Sequence, residues 1–116
     1  MWNKYKKNMV KKFLNNDIEE LIEFLKTKKE IDPKISYTSF LIKNPKVLVE
    51  KINEESFETI IEILNKNKNK LVKESADLIY HLLVAWIYND LDPQDVWKEL
   101  EKRKNISGFD EKKKRK

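Results

Sequence analysis

One glycine, Gly108, and three prolines interrupt 116 residues. So few breakers leave long stretches free to be helical and deny the chain the tight turns of a β-rich fold. The apolar spacing agrees. In "NNDIEELIEFLKTKKE", Ile18, Leu21, Ile22 and Leu25 recur at helical intervals, with Asn16 or Asp17 as the expected cap and lysines gathered at the far end. "IDPKI" reads as a loop centred on Pro33, and "SYTSFLIKN" as a short helix or turn capped by Ser36 or Thr38. Pro45, with Asn44 as cap, opens a long helix to about Asn65. The polar run Asn65 to Lys70 then connects to a second long helix, from about Lys70 to Asn89. Asp92 caps a last helix that Pro93 opens and that runs to about Lys104. The expected fold is all-α: an antiparallel helix hairpin within a bundle, completed by dimerisation. Leu82, Leu83, Trp86 and Ile87 give the second long helix more apolar surface than one hairpin partner covers. Residues 1–16 are expected as an N-terminal extension, 17–106 as the domain, and 107–116 as a basic tail.

Hydrophobic residues at 40% supply a core, and charged residues at 39% imply a thoroughly solvated surface. The absence of cysteine excludes a disulfide scaffold, a thiol nucleophile and a thiolate metal site. A single histidine, His81, excludes a multi-histidine centre, so any metal must be held by carboxylates, which suits magnesium or manganese. The apolar run Leu78 to Ile87 is shorter than the roughly 20 residues a spanning helix needs, and no signal segment is visible. A cytoplasmic protein with no membrane partner is expected. The net charge of +5 is concentrated in "KYKKNMVKK" and "EKKKRK", which read as solvated ends. Nucleic-acid binding is the weaker reading, because no basic stripe interleaved with aromatics lies inside the domain.

Acids then stand out by their spacing. Glu54, Glu55 and Glu58 share one sector of the first long helix. Glu74 and Asp77 are three apart on the second, with His81 four beyond. A short connector makes the two helices antiparallel neighbours, so the two acidic stripes face each other. Facing carboxylates repel unless a proton, a lysine or a divalent cation neutralises them. Magnesium prefers a shell of oxygens and keeps room for waters and phosphate oxygens. The arrangement is that of a magnesium–phosphate site.

"EESFE", fifteen residues, then "ESAD" resembles the E-E-x-x-E … E-x-x-D pattern of the all-α, MazG-like nucleotide pyrophosphohydrolases. More narrowly, "DPKISYTSFL", "KINEESFETI" and "ESADLIYHLLV" resemble, in the same order, segments of the phosphoribosyl-ATP pyrophosphatase family of histidine biosynthesis. The likeness runs from about Asp17 to Lys113. The chain departs from the family at Asn53 and Ile35, where glycine is usual, and neither change removes a carboxylate.

The resemblance implies hydrolysis of phosphoribosyl-ATP to phosphoribosyl-AMP and pyrophosphate. It implies Glu54, Glu55, Glu58, Glu74 and Asp77 as the catalytic and metal-holding acids. Lys51, one turn before Glu55, is expected to meet a phosphate, with Lys73 and Arg103 as further cations. Ser36, Tyr37 and Thr38 are expected to contact phosphate or ribose, and Tyr80 and His81 to support the helix interface. Two alternatives remain: a house-cleaning (deoxy)nucleoside triphosphate pyrophosphohydrolase with the same acids, and a non-catalytic helical adaptor or nucleic-acid binder using the basic ends.

Overall fold

The computed structural model describes residues 17–104, 106 and 108–114. The reading of residues 1–16 as a helix or arm lies outside them. Among the described residues all regular structure is helical: α1 over residues 17–26, α2 Tyr37–Lys43, α3 Pro45–Asn65, α4 Lys68–Tyr88, α5 Pro93–Arg103 and α6 Gly108–Lys114. None of these helices is long and apolar enough to cross a membrane.

Local signals account for most boundaries. Asp17 is already helical, so it is not the cap of α1. Ser36 caps α2 by accepting from the Ser39 N–H. Pro45 opens α3, but Asn44 turns its side chain back to donate to the Phe40 carbonyl, 2.8 Å away, rather than capping α3. Asp92 caps α5, where Pro93 takes the first helical position and its missing N–H costs nothing. Within the expected tail, Gly108–Lys114 is a short helix, with Asp110 near its start and Lys112 and Lys113 toward its end, the charge order the helix dipole favours.

The connector between the long helices is shorter than the polar run suggested. Lys66 adopts a left-handed backbone (φ 54°) and its N–H returns to Glu62 and Ile63 carbonyls, closing α3. Asn67 then caps α4 through the Lys70 N–H, so α4 begins at Lys68 rather than Lys70. Such a cap contributes about 1 kcal/mol. The two-residue joint forces α3 and α4 to run antiparallel, and theirs is the most extensive pairing among α2–α6.

The core gathers around the second half of α4. Leu83, Val84 and Ile87 meet Ile22 and Leu25 of α1, Leu41 of α2 and Leu48 of α3, all nearly inaccessible. Trp86 packs edge-on against Trp97 of α5, ring centres 5.8 Å apart, and Glu19 of α1 accepts from the Trp97 indole N–H and from Gln94. This corrects the surface expected for self-association. Leu83 and Ile87 are buried and Trp86 is half-buried, because α1, α2 and α5 cover that part of α4; of the four only Leu82 is exposed. On the α3–α4 hairpin, exposed apolar side chains include Phe57, Ile60, Ile63, Leu64, Val72 and Ile79.

Candidate active site

The hairpin geometry places residues opposite one another without reference to function. Glu58 lies seven residues before the end of α3 and Glu74 six after the start of α4, so they stand level. One turn toward the core, Glu55 stands level with Asp77, and a further turn brings Lys51 level with His81. The result is a ladder: acids at the outer rungs, a cation and an imidazole at the inner one.

At the outer rungs, carboxylate oxygens of Glu55, Glu58 and Glu74 all lie within 4.8 Å of one another. Glu55 Oε2 and Glu74 Oε2 are buried and have no hydrogen-bond partner among the described residues. Three like charges at this spacing cannot all ionise at neutral pH without help. Accordingly, hydrogen bonding with Glu58, then burial, then hydrogen bonding with Glu55 push the Glu74 carboxyl up to about 7. Burial raises Glu55 as well, and the charges of Glu58 and Asp77 add to this, while its hydrogen bond with Glu74 opposes the rise. Glu74 is thus the carboxyl of this group that most resists ionisation, because its two neighbours and its burial both disfavour a further negative charge. Converging carboxyl oxygens, two of them buried without a partner among the described residues, fit a hard divalent cation, whose preferred ligands are oxygens.

The other two acids expected here are placed differently. Asp77 is exposed and acts on Glu55 through its charge, without joining the three-carboxylate group. Glu54 is drawn aside by Lys51, whose Nζ is 3.1 Å from Glu54 Oε2. That pairing, first as a hydrogen bond and then as charge attraction, raises the Lys51 ammonium above its ordinary value, with Tyr37 and Glu55 adding to the effect.

Among the remaining residues, Lys73 is exposed beside Glu74, and Arg103 pairs with Glu99 on its own helix at 2.8 Å. Ser36 is engaged as the α2 cap, and its hydroxyl reaches the Lys28 carbonyl at 3.5 Å. Thr38 is buried, 2.7 Å from the Tyr80 hydroxyl. Tyr37 alone of the three is open to solvent, and its hydroxyl lies 3.2 Å from His81 Nε2. His81 in turn has Nδ1 2.7 Å from the Asp77 carbonyl. His81 was read from sequence only as support for a helix interface; its link to Tyr37 joins residues 44 apart and has no signal in local spacing. The departures from the family pattern, Asn53 and Ile35, are both exposed and leave the acids untouched.

Residues 18–104 match the family model described as phosphoribosyl-ATP pyrophosphohydrolase. The chain is 42% identical over 99 residues to the phosphoribosyl-ATP pyrophosphatase of Paramagnetospirillum magneticum, covering 84% of this chain and 91% of that one. It is 40% identical over 100 residues to the enzyme of that name from Paracoccus denitrificans, covering 85% and 93%. A relative of the same name from Saccharolobus solfataricus is 40% identical over 91 residues, covering 78% and 97%. The acids at the outer rungs of the α3–α4 ladder and the aromatic cluster at its inner end all fall inside the matched span, and the chain belongs to the phosphoribosyl-ATP pyrophosphohydrolase family.

Proposed function

We propose that this chain hydrolyses the α–β phosphoanhydride of phosphoribosyl-ATP, releasing phosphoribosyl-AMP and pyrophosphate as a step of histidine biosynthesis in the cytoplasm. The observation that carries the proposal is the carboxylate group of Glu55, Glu58 and Glu74, converging from two helices onto one point. These three residues would hold magnesium, or manganese in its stead, with the Asp77 charge nearby and Glu54 on the same helix as Glu55 and Glu58. The ion's contribution is Lewis acidity toward phosphate oxygens and water.

The chain's own groups do the rest. Fixed helices hold the acids in place before substrate arrives, so little reorganisation is needed at the moment of reaction. Water adds across the α–β anhydride, its oxygen joining one phosphate while the anhydride bond breaks, and one of the ladder carboxylates accepts its proton. Lys51, on the inner rung, and Lys73, beside Glu74, offer cations to phosphate oxygens. Assays run side by side on phosphoribosyl-ATP and on common (deoxy)nucleoside triphosphates test the substrate. A clear preference for phosphoribosyl-ATP is expected; equal or better turnover of the triphosphates would assign the chain to house-cleaning instead.

The active form is a homodimer. A long hairpin whose Phe57, Ile60, Ile63, Leu64, Val72 and Ile79 are all exposed offers apolar surface for a second copy to cover. Light scattering at micromolar concentration is expected to give twice the 14.0 kDa chain mass. A monomer at that concentration would remove this part of the account.

A further inference from the structure

The inner rung of the ladder carries a second, separate piece of chemistry. Tyr37 stacks on Phe40 and Tyr80, with ring centres 6.3 and 6.1 Å away, and meets His81 edge-on at 5.9 Å. Its position is therefore fixed by three rings, while nearly half of the residue stays exposed. The proton positions follow from what each partner is able to do. The Asp77 carbonyl only accepts, so His81 Nδ1 must carry the hydrogen across the 2.7 Å contact. In the neutral imidazole Nε2 is then bare and only accepts, so the Tyr37 hydroxyl must donate across 3.2 Å. A hydroxyl has one hydrogen. With that hydrogen committed to His81, what Tyr37 shows to solvent is an acceptor alone.

An acceptor does not bind a phosphate oxygen, which is itself an acceptor. We propose that Tyr37 recognises a hydrogen-bond donor on the nucleoside part of the substrate, a sugar hydroxyl or a base N–H, and that His81 is the positioning residue that fixes the tyrosine in this role. The proposal rests on the nucleotide reading above and deepens it. It gives the ladder a direction, with the phosphates at the carboxylate rungs and the nucleoside at the aromatic one. It also divides the labour of "SYT": Ser36 and Thr38 are tied into the fold, and Tyr37 faces the ligand.

Steady-state kinetics on phosphoribosyl-ATP, with pyrophosphate as a product inhibitor, test this. Tyr37→Phe keeps the ring and its stacking; it is expected to raise KM about tenfold, the effect of one lost hydrogen bond, with most of the loss in KM and not in kcat. Pyrophosphate has no nucleoside, so its inhibition constant should stay within about twofold. His81→Leu should raise KM as Tyr37→Phe does, and the double variant should be little worse than the poorer single, because both remove one interaction. His81→Gln, whose side-chain oxygen is able to accept from Tyr37, should recover most of the wild-type KM. If Tyr37→Phe weakens pyrophosphate as much as substrate, Tyr37 binds phosphate and the proposal is wrong. An unchanged KM in a folded Tyr37→Phe variant also overturns it. Failure of the wild-type protein to hydrolyse phosphoribosyl-ATP would instead refute the underlying function, so the two failures are distinct.

Discussion

Glu58→Gln is expected to lower pyrophosphate release from phosphoribosyl-ATP by about a thousandfold while leaving helicity intact. The amide has the same shape as the carboxyl group but no charge. Glu58 is exposed and contributes nothing to the apolar core around Leu83 and Val84, so the fold does not depend on it. What it does contribute is one of three carboxyl oxygens that converge within 4.8 Å. Losing that charge weakens the cation site and also removes one of the charges that hold the Glu74 carboxyl up. Asp77→Asn should behave in the same direction through the neighbouring rung. Glu50→Gln is the matched control: an exposed acid of the same helix outside the carboxylate group, expected to change activity less than twofold. Full activity in Glu58→Gln, with circular dichroism unchanged, would sink the site assignment.

Glu74→Gln is expected to change how stability depends on pH. The Glu74 carboxyl is held up at about 7 in the folded protein against 4.5 for an ordinary glutamate. Below about 4.5 the group is protonated whether the chain is folded or not, so no stability is lost through it. Between 4.5 and 7 the unfolded chain ionises while the folded one keeps its proton, and stability falls as pH rises. Above 7 the loss is complete. In a chelator, the melting temperature of Glu74→Gln should therefore gain on the wild type as pH rises through this window, then hold a constant lead. Other acids titrate nearby, which is why the difference between the two proteins is the measure. Magnesium should reverse the order: it stabilises the wild type increasingly as the Glu74 proton leaves, and does much less for the variant. Parallel melting curves for the two proteins across pH would contradict this description of Glu74.

Much of this was legible in the sequence, for reasons that can be located. Proline placement marks α3 and α5 correctly, because Pro45 and Pro93 act at the first helical turn regardless of the tertiary surroundings. The α3–α4 joint was misjudged because "NKNKNK" has no apolar periodicity to reveal that four of its residues already belong to helices. The decision is made by the left-handed Lys66 and the Asn67 cap. Glu55, Glu58 and Glu74 were readable as a group because helical spacing and a tight antiparallel hairpin suffice to bring them together. Glu54 was not separable from them, since its capture by Lys51 depends on side-chain direction. Leu83 and Ile87 were taken for an exposed face because nothing local says that α1 and α2 fold back over them. For the same reason the Tyr37–His81 contact, a pairing of distant segments, is visible only in the folded chain.

The central claim is that a carboxylate-held cation makes this helical hairpin a phosphoribosyl-ATP pyrophosphohydrolase. Its most direct test is pyrophosphate release from phosphoribosyl-ATP by the purified chain, with magnesium and with a chelator. Rapid release in magnesium, falling to background in chelator and returning when magnesium is restored, is the predicted result. Release that is equally fast in chelator, or no release under either condition, would contradict the account.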